Sequence, residues 1–252
     1  MAPNSESMAT LFISDLHLTE QRPAVTRLFL SFLATDAARA DALYILGDLF
    51  EYWIGDEAAE LPEVQPIMRG LRTLVDSGVP VYVIHGNRDL LLGKGFEQAS
   101  HCQLLEDPTV IDLYGEPTLI SHGDYLCTDD EEYQKFRTMV RDPEFQARFL
   151  AKDIGEREAI IQTYREISMA NSLEKSMDIM DVNADAVAEQ MQAHGVQRMI
   201  HGHTHRPHVH QLTINGKPAQ RIVLGDWYDQ GSVLSCDTEG CSLRGMPLNS
   251  TI

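Results

Sequence analysis

Asp15-Leu16-His17, Gly47-Asp48, Gly86-Asn87-Arg88-Asp89, His122-Gly123-Asp124 and Gly202-His203-Thr204-His205 gather carboxylates, an amide and imidazoles in tight spacing at points spread over nearly the whole chain. Oxygen and imidazole donors of this kind suit divalent cations. Two such cations roughly 3.5–4 Å apart can grip a phosphate while an activated water attacks it. The candidate donors are Asp15, His17, Asp48, Asn87, His122, His203 and His205, and the chemistry they suggest is phosphoester hydrolysis. Any one of them alone reads better as a cap or a satisfied polar group. Together they would bury several ionisable groups that need a compensating charge, which two cations supply.

The elements that must position them are legible. Thr10–Ser14 is an apolar run ending at Asp15, and Ala42–Leu46 ends at Gly47-Asp48. Val79–His85 runs into Gly86-Asn87, Pro117–Ser121 into His122, and Arg198–His201 into Gly202-His203. Short β-branched, apolar runs closed by Gly read as buried strands. Ligands in open α/β sheets collect outside the carboxyl ends of strands, so all seven donors fall on one rim. Val25–Ala40 and Gln65–Ser77 carry apolar residues at helical spacing, the second stopped by Gly78. Val110–Leu113, Gln211–Ile214, Ile222–Leu224 and Val233–Ser235 read as antiparallel strands of a second sheet, with a turn at Asn215-Gly216. The expected architecture is an α/β layered sandwich with helices outside.

From Asp130 to about Glu174 the composition changes to helix formers, with Gly155 the single glycine. Its apolar residues, among them Phe136, Met139, Val140, Phe145, Phe149, Leu150, Ile154, Ile160, Ile161 and Ile167, could form core or a greasy groove, and spacing favours core for most.

Thirty-eight acidic against 20 basic side chains give a formal charge of −18. That balance argues against general nucleic-acid binding and against electrostatic adhesion to anionic lipid. Cys102, Cys127, Cys236 and Cys241 form no C-x-x-C pair and suggest neither zinc ribbon nor disulfide framework, which suits a reducing cytosol. No apolar run approaches the ~20 residues of a membrane span, and residues 1–8 read as a disordered extension rather than a secretion signal.

Other polar residues receive plainer readings. His101, His194, His208 and His210 read as surface or structural, and His85 and His201 as core residues inside strands. Asp124 and the Asp129-Asp130 pair read as candidate helix caps. Gly225-Asp226-Trp227 reads as a strand exit with Trp227 on a sheet edge. Arg88 follows Asn87 directly, and its permanent fork of donors suits phosphate oxygens better than a salt bridge to Asp89.

Asp15-x-His17, Gly47-Asp48, Gly86-Asn87, His122 and Gly202-His203-x-His205 resemble the five signatures of calcineurin-like metallophosphoesterases. Many members have His after the Asn, whereas this chain has Arg88. With Cys127-Thr128-Asp129-Asp130, Ile179-Met180-Asp181-Val182-Asn183, His203-Thr204-His205-Arg206-Pro207 and Val223-Leu224-Gly225-Asp226-Trp227, residues 9–235 resemble the UDP-2,3-diacylglucosamine diphosphatase family of lipid A biosynthesis. The resemblance implies an αββα sandwich of two mixed sheets with an inserted helical lid: a core of 9–129 and 176–245, and a lid of 130–175 for two acyl chains.

It further implies two Mn(2+) ions, one on Asp15, His17, Asp48 and His205 and the other on Asp48, Asn87, His122 and His203. Water would attack the α-phosphorus of UDP-2,3-diacylglucosamine, giving UMP and 2,3-diacylglucosamine 1-phosphate. Asn87, Arg88 and His203 become the catalytic residues and also contact substrate, with Asp130, Ser168, Ser172 and Lys175; at Ser172 the family usually has Asn. The implied protein is a monomer at the cytoplasmic face of the inner membrane, touching it transiently to reach a lipid-linked UDP-sugar, with no nucleic-acid partner. A calcineurin-like phosphodiesterase for soluble substrates and a non-catalytic scaffold are the alternatives.

Overall fold

The computed structural model describes residues 9–174 and 181–248, with the backbone alone over 167–174. In chain order the elements are β1 (Thr10–Ile13), α1 (Pro23–Ala34), β2 (Ala42–Leu46), α2 (Gln65–Asp76), β3 (Val81–Ile84), α3 (Lys94–Ser100) and β4 (Gln103–Leu105). Then come β5 (Thr109–Leu113), β6 (Glu116–Ser121), α4 (Glu131–Val140), α5 (Pro143–Leu150), α6 (Ile154–Glu174) and α7 (Ala184–Ala193). The last strands are β7 (Arg198–His201), β8 (His208–Ile214), β9 (Lys217–Val223), β10 (Gln230–Asp237) and β11 (Gly240–Pro247).

Among the described residues the strands form two mixed sheets, ordered β11-β10-β1-β2-β3-β4 and β5-β6-β7-β9-β8. Because side chains alternate across a strand, β1 sends Leu11 and Ile13 to one side and Phe12 to the other. The first side packs with Phe29, Phe32 and Leu71 of α1 and α2. Phe12, Leu46 and Ile84 meet Ile120, Ile200 and Ile222 between the sheets. Leu119 and Met199 point the opposite way, onto Val187 and Met191 of α7. Three apolar layers thus separate helix, sheet, sheet and helix, the αββα order expected. Parallel pairing of β1, β2 and β3, and of β6 with β7, brings the strand ends that precede the donor segments to one rim.

Several expectations change. Val233–Ser235 belongs to β10, which pairs with β1 in the first sheet, because residue content marks a strand without naming its partner. The hairpin at Asn215-Gly216 does join β8 to β9, with φ of 52° and 73° at its two central residues. Helix α1 stops at Ala34, and Ala37–Arg39 form a separate 3-10 turn that still buries Ala37. Cys236 and Cys241 face each other across the β10–β11 hairpin and are disulfide-bonded, a pairing that their spacing alone does not reveal. Trp227 is fully buried against Phe29 and Phe32, not at a sheet edge. His201 is buried in β7 as expected, whereas His85 lies just beyond β3, half-buried, with Nε2 2.7 Å from the Leu92 carbonyl oxygen.

The segment after Asp130 is helical as expected, but only Val140 and Phe149 of its described apolar residues are buried. Phe136, Phe145, Ile160 and Ile161 are half-buried, and Met139, Leu150 and Ile154 are exposed, so most of this apolar surface is not spent as core. None of the described helices is long and apolar enough to cross a membrane.

Candidate metal centre

Each donor segment leaves its strand through a sharp turn. Asp15, His17, Asp48, His203 and His205 have φ of 58°, 49°, 53°, 68° and 55°, the left-handed region that non-glycine residues seldom occupy. Such backbone costs on the order of 1–3 kcal/mol per residue and is kept where the surroundings over-determine it. Here the surroundings are neighbouring turns: Asp15 N–H donates to the Gly47 carbonyl at 3.1 Å and His17 N–H to the Asp48 carbonyl at 2.9 Å. Gly86 packs against the Asp48 carboxylate so closely that a Cβ there would overlap it.

The side chains converge. Asp48 Oδ2 stands 3.8 Å from His17 Nε2 and 3.8 Å from His122 Nε2, one carboxylate oxygen between two imidazoles. Asp48 Oδ1 is fixed by the Arg88 amide at 2.8 Å. Asp15 Oδ2 accepts bonds from the Ser14 hydroxyl and, at 2.9 Å, from the His203 amide. Its Oδ1 turns to His205 Nε2 at 3.3 Å. Asn87 Oδ1 lies 3.1 Å from His122 Nε2, and the His203 ring stands edge-on to His122 with centroids 5.0 Å apart. Donor atoms of Asp15, His17 and His205 fall within 4.8 Å of one another, as do those of Asp15, Asp48 and His122.

The donor set fits two divalent cations. Buried Asp15 Oδ1 and both ring nitrogens of His17 have no hydrogen-bond partner among the described residues, a costly state for groups that cannot reach water. The remote nitrogens of three rings each face an oxygen, that of His17 at ion-pair distance only. Asp226 Oδ2 is 3.1 Å from His205 Nδ1, the Leu46 carbonyl is 2.9 Å from His122 Nδ1, and Glu51 Oε2 is 3.4 Å from His17 Nδ1. Carboxylates and carbonyls in this position fix the ring and leave Nε2 for a metal.

Charge is strongly coupled. Burial works to raise Asp15, but the close approach and charge of His205, with the charges of His122 and His17, hold its carboxyl well below the usual range. Burial works to lower His205, yet its close carboxylate neighbours Asp15 and Asp226 push it up to about 10. His122 is likewise pushed up to about 9, burial being outweighed by Asp48, Asp15 and Asp124. His203 moves the other way, down to about 4, through burial and the charge of His122. Protons on His122 and His205 thus balance carboxylates that divalent cations would balance instead.

All seven donor residues predicted from sequence meet in this cluster. Arg88 is half-buried beside it and does not pair with Asp89. Asp89 is fully buried and instead accepts amides of Asp48, Leu49, Phe50 and Gly86 at 3.3, 2.7, 3.4 and 2.8 Å. Asp130 caps α4, accepting the Tyr133 amide at 3.0 Å. Asp124 is no cap: it lies buried under α4, bonded to Arg137 at 2.8 Å and to the Tyr133 hydroxyl at 3.0 Å, with Arg141 at 3.4 Å. Tyr133 in turn stacks on His203, centroids 5.8 Å apart. Ser168 and Ser172 lie on α6 where the backbone alone is described, and Lys175, like residues 1–8, lies outside the described residues. Sequence reasoning missed Glu51, Asp89 as a loop clamp and the holding role of Asp226. The four-residue spacing of Tyr133, Arg137 and Arg141, one helix face, is a signal that could have found the Asp124 cluster.

Residues 8–207 match the calcineurin-like phosphoesterase family, and the chain belongs to it. The fold and the paired donor triads agree with that class. Proteins named UDP-2,3-diacylglucosamine hydrolase are similar over nearly full length. Those of Stenotrophomonas maltophilia (strain K279a) and Enterobacter sp. (strain 638) are 52% and 53% identical, covering 94% and 95% of this chain and 98% and 100% of their own. That of Xanthomonas axonopodis pv. citri (strain 306) is 50% identical over 96% of this chain and 100% of its own.

Proposed function

We propose that the chain hydrolyses the pyrophosphate of UDP-2,3-diacylglucosamine through water attack on the α-phosphorus, releasing UMP and 2,3-diacylglucosamine 1-phosphate. The observation that carries the reaction class is Asp48 Oδ2 at 3.8 Å from both His17 Nε2 and His122 Nε2, since one carboxylate so placed can bridge two cations. The substrate rests on the full-length likeness to proteins of that name. Two divalent cations, which we assign as Mn(2+), would be held by Asp15, His17, Asp48 and His205 and by Asp48, Asn87, His122 and His203, neutralising phosphate charge and activating water.

The protein's own groups supply the rest. Arg88, unpaired with Asp89 and permanently charged, faces the charge that develops on the phosphoryl oxygens, and Asn87 orients the same group. His203 stays neutral because burial keeps its ring from taking a proton, so its ring can serve the site without adding positive charge. Glu51 and Asp226 hold the His17 and His205 rings. The 130–175 insertion is the lid. Its exposed and half-buried Met139, Leu150, Ile154, Phe136 and Ile160 offer apolar surface to acyl chains, worth roughly 25 cal/mol per Å² covered. Asp130, Ser168, Ser172 and Lys175 would grip the sugar or acyl amides. The same apolar surface supports a transient contact with the cytoplasmic face of the inner membrane by a monomer, and a charge of −18 speaks against nucleic acid.

Product analysis in oxygen-18 water tests this. Label is expected in UMP. Label in the sugar phosphate would refute attack at the α-phosphorus, and faster turnover of bis-p-nitrophenyl phosphate than of the UDP lipid would make the chain a phosphodiesterase for soluble substrates.

A further inference from the structure

Glu51 has two partners of different kinds. Oε2 is 3.4 Å from His17 Nδ1, behind a candidate cation ligand, and Oε1 is 2.9 Å from Arg165 Nη2 on α6, the long helix of the insertion. The Glu51 side chain is 14% exposed, so its charge must be met by protein groups. The Arg165 guanidinium also lies 5.7 Å over the ring of Tyr52, the next residue along the chain. Eight residues earlier on the same helix, buried Arg157 grips Glu57 through both carboxylate oxygens at 3.2 Å and donates to the Ile54 carbonyl at 3.0 Å. Helix α6 is therefore strapped at two points to the segment 51–57, which continues from the Asp48 turn. One strap ends on a backbone carbonyl and a carboxylate. The other reaches an imidazole of the metal centre.

We infer that Glu51 is a positioning residue that couples docking of α6, through Arg165, to cation affinity at His17. The inference rests on the dinuclear reading of the site and not on the identity of the lipid. An imidazole offers Nε2 to a cation as the neutral ring with its proton on Nδ1, and a carboxylate behind Nδ1 selects that form and fixes the ring plane. Arg165 holds that carboxylate in place through the ion pair at 2.9 Å. With α6 undocked, Glu51 loses its orienting partner and His17 loses a fixed direction. Linkage makes the coupling reciprocal: whatever α6 contributes to cation binding, bound cation returns to α6 docking. The insertion thereby acts on the reaction twice, as a surface for substrate and as a support for one cation.

The test uses the whole protein without substrate. Adding Mn(2+) is expected to slow amide exchange over 154–166, and Arg165→Met is expected to raise the Mn(2+) dissociation constant of one of the two ions about tenfold or more. Glu51→Gln should give a similar loss, the double variant no more than either single one, and Arg165→Lys part of the affinity back. Wild-type Mn(2+) affinity in Arg165→Met, or losses that multiply in the double variant, would overturn the coupling. Should Arg165→Met fail to fold, exchange in the unaltered protein decides alone, and no Mn(2+) effect over 154–166 refutes the inference. Hydrolysis is not read, so a wrong substrate assignment would leave these results unchanged.

Discussion

The Asp89 carboxylate accepts the Leu49 amide at 2.7 Å, and through the same side chain the Gly86 amide at 2.8 Å. One buried group therefore joins the turn after β2, which carries Asp48, to the turn after β3, which carries Asn87. Burial and the Asp48 charge push this carboxyl above its ordinary range, so the backbone donors are what keep it in place. Asp89→Ala would strand several buried amides at about 1–3 kcal/mol each. A loss of about 3 kcal/mol should lower the melting temperature by roughly 6–12 °C in a protein of this size. Asp89→Asn, which retains one oxygen, should lose less. Calorimetry checks both, and an unchanged melting point in Asp89→Ala would refute the clamp.

Asp226 predicts a different outcome, because its carboxylate touches a ring and not the backbone of the donor turns. Removing the acceptor behind a metal-bound imidazole commonly lowers metal affinity about 10–100-fold. Asp226→Asn should therefore require more Mn(2+) for half-saturation, yet still bind two ions at high concentration. Titration followed by metal analysis reads this, and a wild-type saturation curve would show that His205 is oriented by Asp15 alone.

Glu51 and Asp226 show where sequence reading stops. Asp15 and His17, or His203 and His205, announce themselves because two donors with one residue between them sit at the end of an apolar run. Glu51 sits three residues past Asp48 with nothing to distinguish it from a surface acid, and its meaning comes from His17 and Arg165, distant in the chain. Asp226 reads in the sequence as part of a strand exit beside Trp227, and its contact with His205 is a fact of three dimensions. Strands behave alike. Apolar runs mark β1, β2 and β7, the last two closed by Gly, and Asn215-Gly216 marks its hairpin, since left-handed φ needs those residues. The neighbour of β10 is set by packing between layers, and β11, with Gly, Arg and Pro among few strand formers, exists because β10 offers it a ladder.

The cation-free cluster should respond to pH in a defined direction. His122 and His205 are raised from an ordinary 6.5 to about 9 and about 10, so their contribution to stability is full below about 6.5 and is lost as pH rises through about 9 and 10. Chelated protein should therefore lose melting temperature between pH 7 and 10, a loss that Mn(2+) offsets. Loading at pH 8 should release about two protons per chain, because both rings must be neutral to bind metal. Calorimetry in buffers of differing ionisation heat measures that release. Metal uptake without proton release would mean that other groups balance Asp15 and Asp48.

Gly202 and Gly155 make opposite predictions for the same change. A Cβ on Gly202 would collide with the Ser14 hydroxyl and stand 2.5 Å from Asp15 Oδ2, the oxygen that the His203 amide holds. Gly202→Ala must shift Asp15, so it should cost about 1–3 kcal/mol by overpacking and also weaken Mn(2+) binding. Gly155 lies in the exposed first turn of α6, where its nearest neighbour to an added Cβ is Asp153 Oδ1 at 3.6 Å. Gly155→Ala should stabilise by about 0.4–1 kcal/mol, since alanine narrows the unfolded ensemble without strain. Denaturant melts of the two variants, with Mn(2+) binding alongside, separate the cases. A Gly202→Ala protein with unaltered stability and metal affinity would show that the close approach of the β7 turn to Asp15 does not matter to the centre.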